Sequence, residues 1–302
     1  MRVAVCISGQ ARNVPVCAGS LVQRLLGGQD CDFFVHTWSH SELHTRSTYE
    51  DFVAGETRWK RLWKRRQLKG RFRDYVARMA ALEESFPKEP DKIRSIIEAA
   101  YHPVRLSVEA QPTFDVARFD RREQNFTVKL EETHPENLLS MFTSIQRACA
   151  LKSEYEQEKA IVYDCVVRCR SDLFFFGDFC LADYADRLDQ VVVVPEGADF
   201  RNGINDQLAI SSSHNMDAYC SAADFIEQHY RDGGLLHAES ILAASLTSKG
   251  LEVERAPIDY EIVRGRFVDA EEFLAERMQA APAGGVDGPS FRNPGTARIA
   301  SP

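Results

Sequence analysis

The sequence contains no apolar run long enough to span a bilayer, and its first residues lack the features of a secretory leader. A spanning helix needs roughly 20 consecutive apolar residues, and no stretch of the chain approaches that length. Only Arg2 and a short apolar run precede Gly9 and Gln10, whereas a leader has a longer apolar region and small residues at its cleavage site. We therefore expect neither a leader nor a membrane-spanning segment.

Signature motifs of several enzyme classes are missing as well. The sequence has no GxSxG, HExxH, Walker or GxGxxG pattern, and these patterns are the common signatures of hydrolases, metalloproteases and nucleotide-binding loops. The histidines show no metal-ligand spacing on one helix, although His36 and His237 are worth testing as site residues. The sequence therefore points away from these classes.

The cysteines lack the spacings of a metal site or a disulfide scaffold. Eight cysteines in a chain of 302 residues include no CxxC pair, so a structural zinc site is not expected. Cys6, Cys31, Cys165 and Cys169 lie within apolar or strand-like runs, which is the usual setting of a buried free thiol. We expect all eight cysteines to be reduced, which indicates a cytoplasmic protein.

Negative charge predominates, with one basic exception. The formal net charge of -8 at pH 7 argues against nucleic acid as a partner, because phosphate neutralisation needs a basic surface. The segment Arg58–Arg78 is instead basic and aromatic, with Trp59, Leu62 and Trp63 on one helical face. Such a helix would lie on an anionic membrane. The alternative is a surface helix whose apolar stripe packs onto the body while its charges remain solvated.

Strand and helix patterns alternate along the chain, as in an α/β sheet. Residues 2–8 and 31–38 predict buried strands on either side of a helix that ends at Gly27 and Gly28. A long amphipathic helix then leads into a strand that carries polar residues. These later predicted elements are helices at 135–159, 216–230 and 238–249 and strands at 163–170, 191–194, 208–210 and 251–253.

Polar residues follow the first two predicted strands. Gln10 and Arg12 come after the first strand, and His36, Thr37 and Trp38 end the second. Ligands of open α/β sheets bind beyond the carboxyl ends of the strands. These residues are therefore candidates for binding a ligand.

The most informative stretch is the end of the strand at 163–170. Strand parity places Arg168, Arg170 and Asp172 on one side. Buried arginines and carboxylates need partners. A divalent cation on Asp172 together with a diphosphate held by the guanidinium groups would supply them. An internal Arg–Asp salt bridge is the alternative.

Two further carboxylates lie at the starts of apolar elements. Asp206 ends a polar turn before a short strand, where it would hold sugar hydroxyls, act as a base or simply cap the turn. Glu239 lies near the start of a helix. It would serve there as a general base for an acceptor hydroxyl, or only interact favourably with the helix dipole.

Taken in order, these segments resemble a group of bacterial and large-DNA-virus glycosyltransferases. No single motif is decisive, and the resemblance spans roughly residues 3–264 without 45–130. The segments that carry it are Ile7-Ser8-Gly9-Gln10-Ala11-Arg12, Asp32-Phe33-Phe34-Val35-His36-Thr37-Trp38, Ser140-Met141-Phe142, Tyr163-Asp164 with Arg168, Arg170 and Asp172, Asn205-Asp206-Gln207, and the Glu239 helix ending at Gly250.

The resemblance implies a GT-A fold, which is an α/β, Rossmann-like domain with a mixed, largely parallel sheet flanked by helices. The implied organisation is one glycosyltransferase domain over residues 1–270 with a helical insertion at about 45–130. A loosely ordered tail is expected over residues 280–302, because that stretch is rich in Ala, Gly and Pro without periodicity.

The resemblance also implies roles for individual residues. Enzymes of this fold hold Mn²⁺ or Mg²⁺ and the donor diphosphate with an Asp-x-Asp motif. Here Arg170 stands at the first position, so that only Asp172 is left as a metal ligand. Glu239 lies where inverting members keep their catalytic base, and Asp206 is a second candidate catalytic residue. The nucleotide sugar would meet Ser8, Gly9, Gln10, Arg12, His36, Trp38, Arg168 and Arg170.

The resulting hypothesis is sugar transfer from a UDP-, GDP- or other nucleotide sugar to a cell-surface glycan, glycolipid or glycoprotein. A lipid-linked acceptor at the inner face of the membrane would explain the basic segment Arg58–Arg78. A metal-dependent phosphoesterase or nucleotidyltransferase is one alternative, and it would need a second carboxylate close to Asp172. The other is a non-catalytic glycan- or membrane-binding module.

Overall fold

A seven-stranded sheet organises the chain in the computed structural model, which describes residues 1–39, 64–85, 88–119 and 135–263. These residues belong to the compact unit Met1–Val268. The second unit, Asp269–Pro302, lies outside the described residues, as do the predicted tail, Trp59 and Trp63.

The sheet is mixed and largely parallel. Its strand β7 (Leu208–Ser211) runs antiparallel to both neighbours, β4 (Cys165–Arg170) and β6 (Val191–Pro195), whereas the other pairings in the sheet are parallel. Two short strands, β5 (Leu173–Phe175) and β9 (Tyr260–Ile262), form a separate antiparallel pair. From edge to edge the sheet contains β3 (Arg105–Glu109), β2 (Cys31–Trp38), β1 (Val3–Gly9), β4 (Cys165–Arg170), β7 (Leu208–Ser211), β6 (Val191–Pro195) and β8 (Glu252–Ala256).

Helices cover both faces of the sheet, so the predicted α/β class with a mixed, largely parallel sheet flanked by helices is confirmed. Strand β1 is apolar from Val3 to Ile7 because Val5 faces one hydrophobic core while Ala4 and Cys6 face the other. The helices are α1 (Val14–Ser20, continued by a π-helical turn Leu21–Leu25), α2 (Arg65–Ser85), α3 (Pro90–Tyr101), α4 (Pro135–Lys159), α5 (Ser213–Cys220), α6 (Ile226–Arg231) and α7 (Ala238–Ser248).

The segment predicted to be an insertion contributes to the sheet. The helix α3 packs Ile93 and Ile97 into the core on one face and leads into the edge strand β3, which pairs in parallel with β2. Residues 90–109 are thus the crossover and edge strand of the main sheet. Polar and apolar residues alternate over only the five positions 105–109. That pattern is too short for the sequence to distinguish an edge strand from a loop.

The predicted helix at 216–230 is three shorter pieces. Between α5 and α6 the chain forms a 3-10 turn, Ser221–Phe225. The Ser221 hydroxyl donates to the carbonyl of Ala218 at 3.0 Å, and such side-chain bonds compete with the helical ladder. The remaining long helix, α4, has the bounds predicted from its apolar period.

The expectation that all cysteines are reduced is wrong for two of them. Cys149 on α4 and Cys220 at the end of α5 form a disulfide, with Cα atoms 6.5 Å apart and a sequence separation of 71 positions. Their pairing depends on how α4 and α5 pack, and such a pairing cannot be deduced from sequence. The other six cysteines are free. Among the described residues, no helix combines the length and apolar character needed to cross a membrane.

The strand order creates a switch point beside β1. The chain leaves β1 to form β2 and β3 on one side, and α4 then carries it back to β4 on the other side. The carboxyl ends of β1 and β4 therefore diverge where the order reverses, which is the position at which open α/β sheets bind ligands. Ser8 and Arg170 are paired in register at this point.

Candidate functional site

The turns that follow β1 and β4 are tied together at the switch point. We call their residues, 8–12 and 168–172, the arginine edge. Ser171 donates its hydroxyl to the Gln10 carbonyl at 2.7 Å, and Arg12 donates to the side chain of Gln10. Gly9 has a φ of 109°, a conformation that side chains with a Cβ rarely adopt. The predicted residues Ser8, Gly9, Gln10 and Arg12 therefore share one short turn.

A buried group beneath this turn holds its backbone in place. The Ser144 hydroxyl on α4 accepts from the Gly9 amide at 2.8 Å and lies 2.8 Å from Nδ1 of His36. Desolvation and the charge of Arg147 lower the pKa of His36 to about 3, so its ring is neutral. Trp38 contacts the His36 ring edge-on, with centroids 4.6 Å apart. Both rings are buried. Through Ser144, the His36 ring helps to fix the position of the Gly9 backbone.

Arg168 links three strands at the arginine edge. Its guanidinium donates to the Ser8 hydroxyl at 3.2 Å and to the backbone carbonyl of Asp206. The side chain is buried, and its Nε has no hydrogen-bond partner among the residues that the structure describes. Arg168 thus joins the end of β1 to the turn before β7.

Arg170 and Asp172 form a two-pronged ion pair. Nε and Nη2 of Arg170 donate to the two carboxylate oxygens at 2.7 and 2.8 Å, and the side chains are 18% and 4% exposed. Desolvation opposes the charge of Arg170, but the charge of Asp172, its hydrogen bonds and the charge of Asp206 raise the pKa of Arg170 above its usual value. The arginine is therefore fixed and charged, with a small part of its side chain exposed.

The residues at this edge do not form a recognisable metal site. Both carboxylate oxygens of Asp172 already accept from Arg170, so a cation on Asp172 would have to displace the guanidinium. Within the described ranges, no group of three or more His, Cys, Asp and Glu side chains is placed to hold a metal ion. The alternative of an Arg–Asp salt bridge accounts for these two residues.

Asp206 lies on a loop that is fixed by its neighbours. Asn205, fully buried, donates to the Gly197 carbonyl at 3.1 Å and to the Tyr260 hydroxyl at 2.8 Å. Tyr260 in turn donates to Gln207 at 2.9 Å. The two residues that flank Asp206 are therefore anchored, and its carboxylate is held close to Arg170.

Glu239 opens α7 directly against this loop. Its carbonyl accepts from the Ile204 amide at 3.1 Å. A Cβ on Gly203 would lie 2.4 Å from the Glu239 carbonyl carbon, so that only glycine fits there. Oε2 of Glu239 is 3.0 Å from Nδ1 of His237. We call Asp206, His237 and Glu239 the carboxyl corner.

Glu239 has a raised proton affinity. Desolvation, followed by the charges of Asp206 and Asp199, raises the pKa of Glu239 to about 8. A buried carboxyl that gains a proton near neutral pH is the usual state of a group that moves protons in catalysis. The carboxyl corner and the arginine edge meet at Asp206, whose backbone binds Arg168 and whose charge reaches Glu239.

A narrow crevice lies beside the arginine edge, between the ends of β1 and β2 and the helix α3. Gly9, Ala11, Thr37, Tyr101 and Ser171 are among the residues that line it. The crevice has no interior space for a molecule as large as water, so it adds no preformed pocket to the edge.

Sequence reasoning missed the residues that support this site. Ser144, Gly203 and Tyr260 each fix a predicted site residue or its loop, but they act across at least 35 positions of sequence. Only Gly203 has a local signal, as the glycine of the polar turn before Asp206. The predicted residues themselves lie in one continuous region, from Ser8 through Arg168 and Asp206 to Glu239.

Comparison with known proteins gives a family without an assigned activity. No curated protein matches the sequence. A family model described as a domain of unknown function, DUF7796, matches residues 109–276, which is more than half of the chain. The match includes Arg168, Arg170, Asp172, Asp206 and Glu239, whereas the turn after β1 lies outside it. The chain belongs to the DUF7796 family.

Proposed function

We propose that the protein is a glycosyltransferase that moves a sugar from a nucleotide-sugar donor to a cell-surface glycan, glycolipid or glycoprotein. One observation carries this proposal. A fixed arginine edge and a buried carboxyl of raised pKa meet around Asp206 at the switch point of an α/β sheet. Sugar transfer with inversion uses both parts, a cationic site for the leaving diphosphate and a base for the acceptor, whereas a retaining enzyme would not need the base.

The donor would bind along the arginine edge. Arg170 is partly exposed and pre-oriented by Asp172, and guanidinium groups bind phosphate oxygens in a two-pronged fashion. The turn Ser8–Arg12 lies next to it and is tied to Ser171 by the hydrogen bond to the Gln10 carbonyl. His36 and Trp38 would act indirectly, by holding Gly9 through Ser144.

The phosphates are assigned to arginine rather than to Mn²⁺ or Mg²⁺. A metal on Asp172 would compete with two charge-assisted hydrogen bonds from Arg170. Breaking such a buried pair leaves an uncompensated charge, at a cost of about 3–5 kcal/mol. A positive charge is already available in Arg170 to stabilise the departing diphosphate.

The acceptor would be activated at the carboxyl corner. The Glu239 carboxylate takes the proton of an acceptor hydroxyl while the acceptor oxygen forms a bond to the anomeric carbon. The bond between that carbon and the phosphate oxygen breaks, and the diphosphate leaves with the electron pair. This single displacement inverts the anomeric centre. Asp206, which raises the pKa of Glu239, strengthens the base.

The alternative functions lack a supporting feature. A metal-dependent phosphoesterase or nucleotidyltransferase needs a second carboxylate close to Asp172, and the group bonded to Asp172 is Arg170. A non-catalytic glycan- or membrane-binding module has no need of a buried carboxyl with a pKa of about 8. Neither observation favours these alternatives over sugar transfer.

The cellular setting follows from the same proposal. An acceptor linked to a lipid would bring the enzyme to the inner face of the membrane, where anionic lipids attract basic segments. The described part of the basic segment, at the start of α2, is largely exposed, with Arg66, Lys69 and Arg73 facing solvent. Peripheral attachment through this helix is therefore part of the proposal.

Release of nucleoside diphosphate from a panel of nucleotide sugars tests this function. Wild-type protein should release the diphosphate from one donor, and the rate should rise when glycan acceptors are added. Replacement E239Q should lower the acceptor-dependent rate at least 100-fold, since a general base contributes about 10²–10⁴-fold. Equal rates in E239Q, or release that ignores every acceptor, would contradict the assignment.

A further inference from the structure

An exposed aromatic ring lies beside the carboxyl corner. Phe200 is 44% exposed, which is unusual for a large apolar side chain among the described residues. Its ring contacts the His237 ring edge-on, with centroids 6.5 Å apart, and His237 lies 3.0 Å from Glu239. Leu235, two residues before His237, is also 39% exposed. An apolar surface therefore borders the candidate base.

The backbone that carries Phe200 is held firmly in this position. The Gly203 amide donates to the Phe200 carbonyl at 2.9 Å, and the next amide, of Ile204, binds the Glu239 carbonyl. On the other side, the Asp199 carboxylate accepts from the Asn205 amide at 3.1 Å and pairs with Arg255 at 2.6 Å. The exposure of the ring is thus fixed by the loop that also positions Glu239.

This arrangement matches the chemistry of a sugar ring. A pyranose has a face of C–H bonds that packs on an aromatic ring, while its hydroxyls need polar partners at the edge. Here the aromatic face of Phe200 and the polar groups of His237 and Glu239 lie side by side. A lipid chain would need a wider apolar surface than one ring and one leucine offer.

We infer that Phe200 is the platform on which the acceptor sugar stacks, with the reacting hydroxyl directed to Glu239. The inference rests on the proposed function and adds the acceptor class, a pyranose unit of a glycan. His237 lies between the Phe200 ring and the base, in contact with both. Phe200 is on this account a specificity residue for the acceptor and has no part in donor binding.

Saturation-transfer NMR with simple methyl pyranosides tests the platform. The glycosides of glucose, galactose, mannose and N-acetylglucosamine are added to protein that is saturated with UDP, GDP or CDP, whichever of the three it binds. At least one should give a signal in the wild type, and F200A should reduce it at least fivefold, whereas F200W should keep it. V162A removes another exposed side chain, 68% exposed at the amino end of β4, and should change nothing.

The outcomes separate this inference from the proposed function. Nucleotide binding in F200A should equal that of the wild type. If no pyranoside binds to the nucleotide-loaded wild type, or if F200A binds as well as the wild type, the platform is overturned while donor binding stands. If the wild type binds no nucleotide, the proposed function itself fails.

Discussion

The arginine edge and the carboxyl corner differ in how their buried charges are compensated. At the edge, Arg170 and Asp172 neutralise each other through two hydrogen bonds, and the arginine stays ionised. At the corner, Glu239 lies near the like charges of Asp206 and Asp199, and its carboxyl prefers to be protonated. The arginine edge therefore contains a neutralised pair of charges, and the carboxyl corner contains a carboxyl that readily binds a proton.

The difference indicates which region can change its state during a reaction. A fixed ion pair can receive a phosphate without reorganising, which is how preorganised charges stabilise a leaving group. A carboxyl with a pKa of about 8 exchanges its proton near neutral pH and can act as a base.

Removal of Asp172 should produce the largest loss of stability. Asp172→Ala leaves the Arg170 guanidinium buried without its carboxylate, which we expect to lower the free energy of unfolding by about 3–5 kcal/mol. Urea denaturation measures it. The double replacement R170M/D172L removes both charges and should recover most of the loss. A D172A protein within 1 kcal/mol of the wild type would show that the pair is not coupled.

Replacement of Glu239 should stabilise the protein in a pH-dependent way. In the folded protein the pKa of Glu239 is about 8, above the unfolded value of roughly 4.3. Protonation of Glu239 therefore contributes its full stabilisation below about pH 4, and this contribution is lost as the pH rises through 8. The wild type should therefore lose about 3.5 kcal/mol of stability relative to E239Q between pH 5 and pH 8, at about 1.4 kcal/mol for each pH unit over most of that interval. Thermal melts of both proteins at pH 5, 6.5 and 8 measure the difference. A constant difference would place the pKa of Glu239 near its ordinary value.

A methyl group on Gly203 should disturb the corner and spare the edge. The added Cβ would approach the Glu239 backbone to 2.4 Å, so the loop or the start of α7 must move. We expect the acceptor-dependent rate to fall about tenfold, or 1.4 kcal/mol, with nucleotide affinity unchanged. The matched control is Gly19→Ala in α1, where nothing lies within 4 Å. Equal activity of the two variants would contradict the role given to Gly203.

Loss of the Ser144 hydroxyl should give the smallest effect. Ser144→Ala removes the acceptor for the Gly9 amide and the partner of His36, at a cost of about 1 kcal/mol in stability. Nucleotide affinity should fall a few-fold because the turn after β1 loosens, whereas acceptor affinity should not change. Ser153→Ala, on the same helix but with its hydroxyl bonded to Cys149 and Asp217, is the control. A loss confined to acceptor binding would contradict the account.

Local patterns predicted the elements that carry the site. The apolar run of β1, the period of α4 and the alternation of Arg168 and Arg170 along β4 each lie within one element, so the sequence could indicate them. Contacts between distant elements could not be predicted in the same way. The approach of Gly203 to Glu239 and the bond from Ser144 to Gly9 arise only when helices pack on the sheet.

The assignment of Asp172 shows the same limit. From spacing alone, a metal ligand and an ion-pair partner are equally consistent with an Arg-x-Asp sequence. Only the side-chain geometry, with both oxygens bonded to Arg170, separates the two. The metal expected from the family resemblance stays a prediction that binding experiments address.

Calorimetric titration with UDP, GDP and CDP, with Mn²⁺ and with EDTA, tests the central claim most directly. The account predicts that one nucleotide binds the wild type in EDTA and that the charge-neutral replacement R170Q/D172N weakens binding at least tenfold. Arg24→Gln, which removes a surface arginine paired with Asp178, should bind as the wild type does. Binding that requires Mn²⁺ and survives R170Q/D172N, or no binding of any nucleotide, would contradict the assignment of the donor phosphates to the arginine edge.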